Sequence, residues 1–102
     1  MSTEVSDQPE QSRYEIRVDG ELAGFAEYEL HGDHTTFTHT EVDDAYEGQG
    51  LGSKLARAVL DGARDAGLAV HPECAFIARY VKRHPHDYLD LVPEDARAKY
   101  GL

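Results

Sequence analysis

The residues of this 102-residue chain that could do covalent or acid–base chemistry are few. Cys74 is the one cysteine, so an internal disulfide is excluded. It follows Val70-His71-Pro72, where an extended segment should give way to a helix. A helix N-terminus favours the thiolate form of a cysteine, and thiolates attack thioesters readily, so an acyl-cysteine is chemically reasonable there. The same sulfur packed among apolar side chains would be an inert small hydrophobe. Tyr80, six residues on, could protonate a leaving thiolate, or could be a core tyrosine with its hydroxyl satisfied. Glu41 closes a run rich in β-branched residues. It could take a proton from an amine, directly or through water, or it could be an exposed strand carboxylate. The histidines His31, His34, His39, His71, His84 and His86 lack the His-x-x-x-His or Cys-x-x-Cys spacing of a zinc site, so no metal is expected. His84 could orient a helix end, and His71 could lie near Cys74 as a base.

The second chemical feature is a glycine loop, Glu47-Gly48-Gln49-Gly50-Leu51-Gly52-Ser53. Glycines let backbone approach a ligand closely, and the unpaired N–H groups at a helix start favour anionic oxygens. A phosphate or pyrophosphate is the natural guest, although glycines can also serve turning alone. A dinucleotide-binding loop needs glycine where Ser53 stands, and a nucleoside-triphosphate loop needs lysine where Gly52 stands. Arg79, Lys82 and Arg83 form a basic cluster, with Lys54 at the start of the preceding helix. They are a solvated face or a screen for phosphates.

These groups must be positioned by a modest set of elements. Residues 1–12 are polar, contain Pro9 and show no periodicity, which reads as a flexible tail ahead of a single domain over 13–102. Tyr14, Ile16 and Val18 alternate with charged residues as in a half-buried strand. Asp19-Gly20 suits a tight hairpin turn. Leu22, Gly24, Ala26, Tyr28 and Leu30 form the next alternating set, His31-Gly32-Asp33 a second turn, and Thr35 to Val42 a third strand. The period then becomes helical, with Leu51, Leu55, Ala58, Val59, Gly62, Ala63 and Ala66 on one face and Gly67 as the stop. Leu68 to His71 reads as a short strand. A helix follows from about Glu73 to Arg83, with Phe76, Ile77, Tyr80 and Val81 inward, ended by His84-Pro85. Residues 86–102 read as a tail with a short turn. The order β-β-β-α-β-α predicts an α+β or α/β fold: an antiparallel meander, then a β-α-β crossover and a C-terminal helix.

Charge narrows the function classes. The net charge is −10, which argues against a nucleic-acid binder. It is unevenly spread: residues 1–51 carry thirteen acids against Arg13 and Arg17, whereas residues 52–102 carry seven acids and eight bases. That split is a solubilising acidic surface, or a negative side for a cationic amine and a basic side for an anionic ligand. The longest apolar run, Cys74 to Ala78, is far too short for a membrane helix, and no signal-peptide pattern opens the chain. A cytoplasmic location is expected. An exposed sheet edge could pair copies, but the sequence leaves the oligomeric state open.

The loop and its flanks resemble the GNAT acetyltransferase superfamily. Val42-Asp43-Asp44-Ala45-Tyr46-Glu47-Gly48-Gln49-Gly50-Leu51-Gly52 matches in spacing the family's strand ending followed by Arg/Gln-x-x-Gly-x-Gly/Ala, with Asp44 in place of proline and Glu47 in place of Arg or Gln. His39-Thr40-Glu41-Val42, Pro72-x-Cys74-x-Phe76, Tyr80 and His84-Pro85-x-x-Tyr88 further resemble its small single-cysteine members. The resemblance implies a GNAT-like fold and acetyl-CoA or coenzyme A as co-substrate. Its contacts would come from Val42, Glu47, Gly48, Gln49, Gly50, Leu51, Gly52, Ser53, Lys54 and Arg83. It also implies an amine acceptor, small or macromolecular. Cys74, Tyr80 and Glu41 would be catalytic, with an acetyl-cysteine intermediate on Cys74. An acyl-CoA-binding module with little turnover is the alternative reading.

Overall fold

The computed structural model describes residues 2–46 and 48–102. Glu47, expected above to face coenzyme A, lies outside the described residues. Strands β1 (Thr3–Gln8), β2 (Arg13–Val18), β3 (Glu21–His31) and β4 (His34–Val42) form an antiparallel meander. Helix α1 (Leu51–Asp65) then leads to β5 (Ala69–Pro72), which pairs parallel to β4. Helix α2 (Ala75–Arg83) and the short helices α3 (Pro85–Tyr88) and α4 (Glu94–Arg97) complete the chain. The sheet order is β1-β2-β3-β4-β5. The expected α+β class, meander and crossover are therefore present.

Two segments read as tails are structured. Residues 3–8 form the edge strand β1, in register from Thr3 opposite Val18 to Gln8 opposite Arg13. Val5 is its one apolar residue, so periodicity could not announce it. What holds β1 is backbone pairing and specific polar contacts: Asp19 N–H donates to the Ser2 carbonyl at 2.8 Å, and the Tyr28 hydroxyl donates to Asp7 at 2.7 Å. The segment from residue 86 onward folds back on the helices and buries Tyr88, Leu91 and Val92. Arg64 anchors it with two 2.9 Å bonds to the Asp90 carboxylate and one to the Asp87 carbonyl.

The turns follow local chemistry. Asp19 and Gly20 have φ of 50° and 85°, as a two-residue hairpin turn with both central residues left-handed requires. The core lies between one sheet face and the two longer helices, with Ile16, Ala26, Phe37, Leu55, Val59, Val70, Ile77 and Val81 at its centre. Helix α1 buries Ala56 and Leu60 as well as Leu51, Leu55, Val59 and Ala63, whereas Ala66 is exposed beyond its end. Its apolar stripe is thus wider than the single face read from spacing, because β5 and α2 cover a second flank of the helix. On the opposite sheet face, Glu15 is clamped between Arg13 (2.6 Å) and Arg17 (3.0 Å). The Arg13 hydrogen bond, above all, holds its carboxyl below the usual glutamate range.

Candidate active site

The site begins where two strands part. β4 and β5 pair from His34 opposite Ala69 to Phe37 opposite Pro72. The Cys74 N–H makes one further bond, 2.8 Å to the Phe37 carbonyl. Beyond that β5 turns into α2, while β4 runs on to Val42. The ladder between β4 and β5 therefore ends here, and the two strands take different courses.

Cys74 stands at that point as the residue capping α2, half-buried and extended (φ −75°, ψ 123°). Its carbonyl accepts from Ala78 N–H at 3.1 Å, and its sulfur donates to Thr40 Oγ1 at 3.4 Å. Thirty-four positions separate Thr40 from Cys74, and the register of β4 against β5 brings them together. Glu41, one residue on, takes the other sheet face, as the two-residue period of a strand demands. Its carboxylate is exposed and lies 3.2 Å from His39 Nε2. Glu41 borders a recess of about 360 Å³ with Phe25, Val42, Asp43 and Asp44. The structure thus puts Glu41 on the opposite sheet face from Cys74, rather than beside it.

The glycine loop is built by conformation at two positions and by space at a third. Gly48 and Gly50 have φ of 85° and 72°, in the left-handed region where other residues are strained. Gly50 caps α1, and the first intrahelical bond is from Lys54 N–H to its carbonyl at 3.2 Å. The amides of Leu51, Gly52 and Ser53 precede that bond, so they have no carbonyl inside the helix to donate to. Leu51 contributes only its backbone, because its side chain is 2% exposed in the core. A Cβ on Gly52 would lie 2.6 Å from Phe76 Cζ, so this glycine admits the aromatic ring of α2 against α1. Gln49 and Lys54 are solvent-exposed, and Val42 is half-buried opposite Gly24.

Ser53, Phe76, Arg79, Tyr80 and Arg83 line a recess of about 140 Å³ between the start of α1 and α2. Arg79 belongs to this wall beside the expected Arg83. Lys82 faces a separate groove with Tyr100 and Gly101. Amides at a helix start beside two guanidinium groups suit anionic oxygens. Tyr80 is 7% exposed, and its hydroxyl accepts from Arg57 Nε at 3.4 Å. The His84 ring stacks on Tyr80 at 4.2 Å, and His84 Nδ1 lies 2.9 Å from the Tyr80 carbonyl oxygen. His84 thus closes the end of α2, as expected. His71 does not serve Cys74: it packs against His34 at 4.5 Å and lies 3.4 Å from the Tyr100 hydroxyl.

Comparison with known proteins fits this arrangement. The model of the GCN5-related N-acetyl-transferase family matches residues 13–91. The chain belongs to this family. Among relatives, Protein NATD1 of Gallus gallus is 47% identical over 47 residues, a stretch covering 46% of this chain and 43% of that protein. A GCN5-like protein of Staphylococcus aureus, 25% identical, superposes with a TM-score of 0.64 over 88% of this chain and 87% of its own. The N-acetylglutamate synthase of Neisseria gonorrhoeae, solved with coenzyme A and N-acetyl-glutamate, shares the fold at 19% identity. Its TM-score is 0.55, covering 87% of this chain and 22% of that one. The mixed five-stranded sheet of this chain carries the fold of that family.

Proposed function

We propose that the protein is an acetyl-CoA-dependent N-acetyltransferase that passes the acetyl group to an amine. The observation that carries this reading is the end of β4–β5 pairing at Phe37 and Pro72, with Cys74 at the start of α2 beside Thr40 of β4. In this reading the amides of Leu51, Gly52 and Ser53, with Arg79 and Arg83, hold the pyrophosphate of coenzyme A, which a helix start suits by its dipole and free donors. The thioester then reaches Cys74. The Cys74 thiol gives up its proton to solvent, its sulfur attacks the acetyl carbonyl, the bond from carbonyl carbon to coenzyme A sulfur breaks, and Tyr80 gives its proton to the departing thiolate; solvent returns both protons after the second step. The amine next attacks the acetyl-cysteine, loses a proton, and releases Cys74. The acidic recess of Glu41, Asp43 and Asp44 supports a cationic acceptor, since its field attracts ammonium groups.

The orientation of Glu41 away from Cys74 favours a second reading, a coenzyme A-binding module without a base for an amine. Intact-mass measurement after incubation with acetyl-CoA, before and after thiol treatment, separates these cases. A thiol-labile acetyl adduct that Cys74→Ser abolishes, with coenzyme A still raising the melting temperature of the variant, is the expected result. An active Cys74→Ser protein would sink the covalent route and leave direct transfer. Stabilisation by coenzyme A with no release of free thiol would favour the binding module.

A further inference from the structure

A recess at the far end of β4 from Thr40 has no part in the reaction as described. It lies between the first residues of β4 and the last two turns of α1, and its volume is about 160 Å³. Phe37, Val59 and Ala63, all buried, form its apolar side. Asp7, Leu30 and Ala66 also line it and are exposed, so it meets solvent at that rim. Thr35 borders the recess and Thr40 meets Cys74, so roughly 16 Å of strand lies between the two places.

The polar groups on its walls are not used up by the fold. The rings of Tyr14 and Tyr28 meet there at 5.6 Å and an interplanar angle of 59°. The Tyr28 hydroxyl donates to one oxygen of Asp7 at 2.7 Å, and the other oxygen has no partner among the described residues. The Tyr14 hydroxyl bonds to none of the described residues either, yet α1 makes room for it. A Cβ on Gly62 would collide with that oxygen. Glycine inside a helix is less stable than alanine, so the helix is weakened to admit an oxygen that the fold itself leaves unpaired. Thr35 is 3% exposed, and its hydroxyl too has no partner among the described residues. Since none of their side-chain oxygens is both sealed from solvent and unpaired, the recess is the space through which this hydroxyl stays accessible. After burial, the charges that raise both phenols are carboxylates: Asp7 acts on Tyr14 and Tyr28, Asp65 on Tyr14 and Glu10 on Tyr28. None of the described residues lining the recess is cationic.

We propose that this recess is a second binding site, for a small aromatic monoamine in its ammonium form. The ring enters against Phe37, Val59 and Ala63, and the ammonium stays at the rim beside Asp7 and the two tyrosines. A cavity of about 150 Å³ with apolar walls holds a benzene ring, so the size fits. An ammonium group brings donors alone, and the unpaired Asp7 oxygen and Tyr14 hydroxyl can both accept them. Tyrosine rings attract cations through their faces, and the carboxylates strengthen that attraction. An anion of the same shape would meet the same carboxylates and be repelled. The site stands apart from the acetyltransferase reading, which uses none of these side chains.

The probe is benzylammonium, with benzyl alcohol as its uncharged counterpart and benzoate as its anionic one. Each is titrated into the isotopically labelled full chain and followed by amide NMR. Saturable shifts should appear at Thr35, Ala63, Ala66 and Leu68. Benzylammonium should bind about tenfold more tightly than benzyl alcohol, and benzoate should not bind. Asp7→Asn keeps an acceptor for Tyr28 and should weaken benzylammonium about fivefold, with benzyl alcohol within about twofold. Ala66→Leu fills the rim from an exposed position and should remove both ligands, and an unchanged melting temperature shows that the variant folds. Equal affinity for benzylammonium and benzyl alcohol would reduce the recess to an apolar hole and overturn the proposal. Shifts confined to Asp43 and Asp44, in the other acidic recess, would overturn it as well. So would the absence of any saturable shift, or binding that both variants leave unchanged. No arm of the experiment depends on turnover, so the proposal and the acetyltransferase reading fail separately.

Discussion

Gly52→Ala tests how α1, α2 and the recess are coupled. The added Cβ would sit 2.6 Å from Phe76 Cζ, so the ring must retreat roughly 0.8 Å to restore ordinary contact at 3.4 Å. Phe76 is half-buried and meets the intruding atom with the far end of its side chain, so it can yield without moving backbone. Overpacking of this kind costs about 1–2 kcal/mol. Replacing glycine by alanine in a helix returns about 0.5–1 kcal/mol, toward the lower figure this near the helix start. The gain offsets only part of the cost, and a net destabilisation of about 1 kcal/mol is expected in chemical denaturation. With Phe76→Ala in the background the clash is gone and only helix propensity remains, so Gly52→Ala should then stabilise by about 0.5 kcal/mol. The sign reversal is the signature. The displaced ring also disturbs the wall shared with Ser53 and Tyr80, so coenzyme A affinity measured by calorimetry should fall about tenfold, equivalent to about 1.4 kcal/mol. The same sign in both backgrounds would refute the packing argument. An unchanged affinity would remove Phe76 from the ligand site.

Gly24→Ala should be far more costly, because its Cβ would meet the Glu41 carbonyl oxygen at 2.5 Å and Val42 Cα at 3.1 Å, both backbone atoms that cannot step aside. A loss of about 3 kcal/mol in denaturant unfolding is expected, and a loss below about 1 kcal/mol would mean that β3 and β4 are not so closely apposed there. The Glu15 clamp has an acid signature. Because the folded carboxyl titrates below the unfolded one, its stabilisation is complete above the usual glutamate range near pH 4.5 and is lost as pH falls through the lowered folded value. The fall in melting temperature below about pH 4.5 should be shallower in Glu15→Gln, and parallel curves would exclude the clamp as its source. Deleting residues 2–8 should destabilise by about 2–3 kcal/mol, through the lost Tyr28–Asp7 bond, the strand pairing and the exposure of Val5 surface. A truncated protein as stable as the full chain would make this segment the dispensable tail that its composition suggests.

The sequence by itself determined what depends on neighbours a few residues apart. Alternation marked Ile16, Val18, Ala26 and Tyr28 as inward. Asp19-Gly20 set a hairpin turn through its tolerance of positive φ, and the spacing of Leu51, Leu55, Val59 and Ala63 set α1. The glycine loop, Cys74 at a helix start and Tyr80 within a helix were legible for the same reason. What the tertiary structure decided lies in contacts between residues distant in the chain, where local periodicity carries no information. β1 has too little apolar character to announce itself and exists by pairing with β2. The last seventeen residues are held by Arg64, twenty-six positions before its partner Asp90. Gly52 looked like a ligand cradle, and the ring of Phe76 shows that it also makes room for packing. Strand register, not spacing, put Thr40 beside Cys74 and sent Glu41 to the opposite face, since a single step along β4 reverses the side. Arg57 meets the Tyr80 hydroxyl only once α1 and α2 are packed, because twenty-three positions separate the two residues.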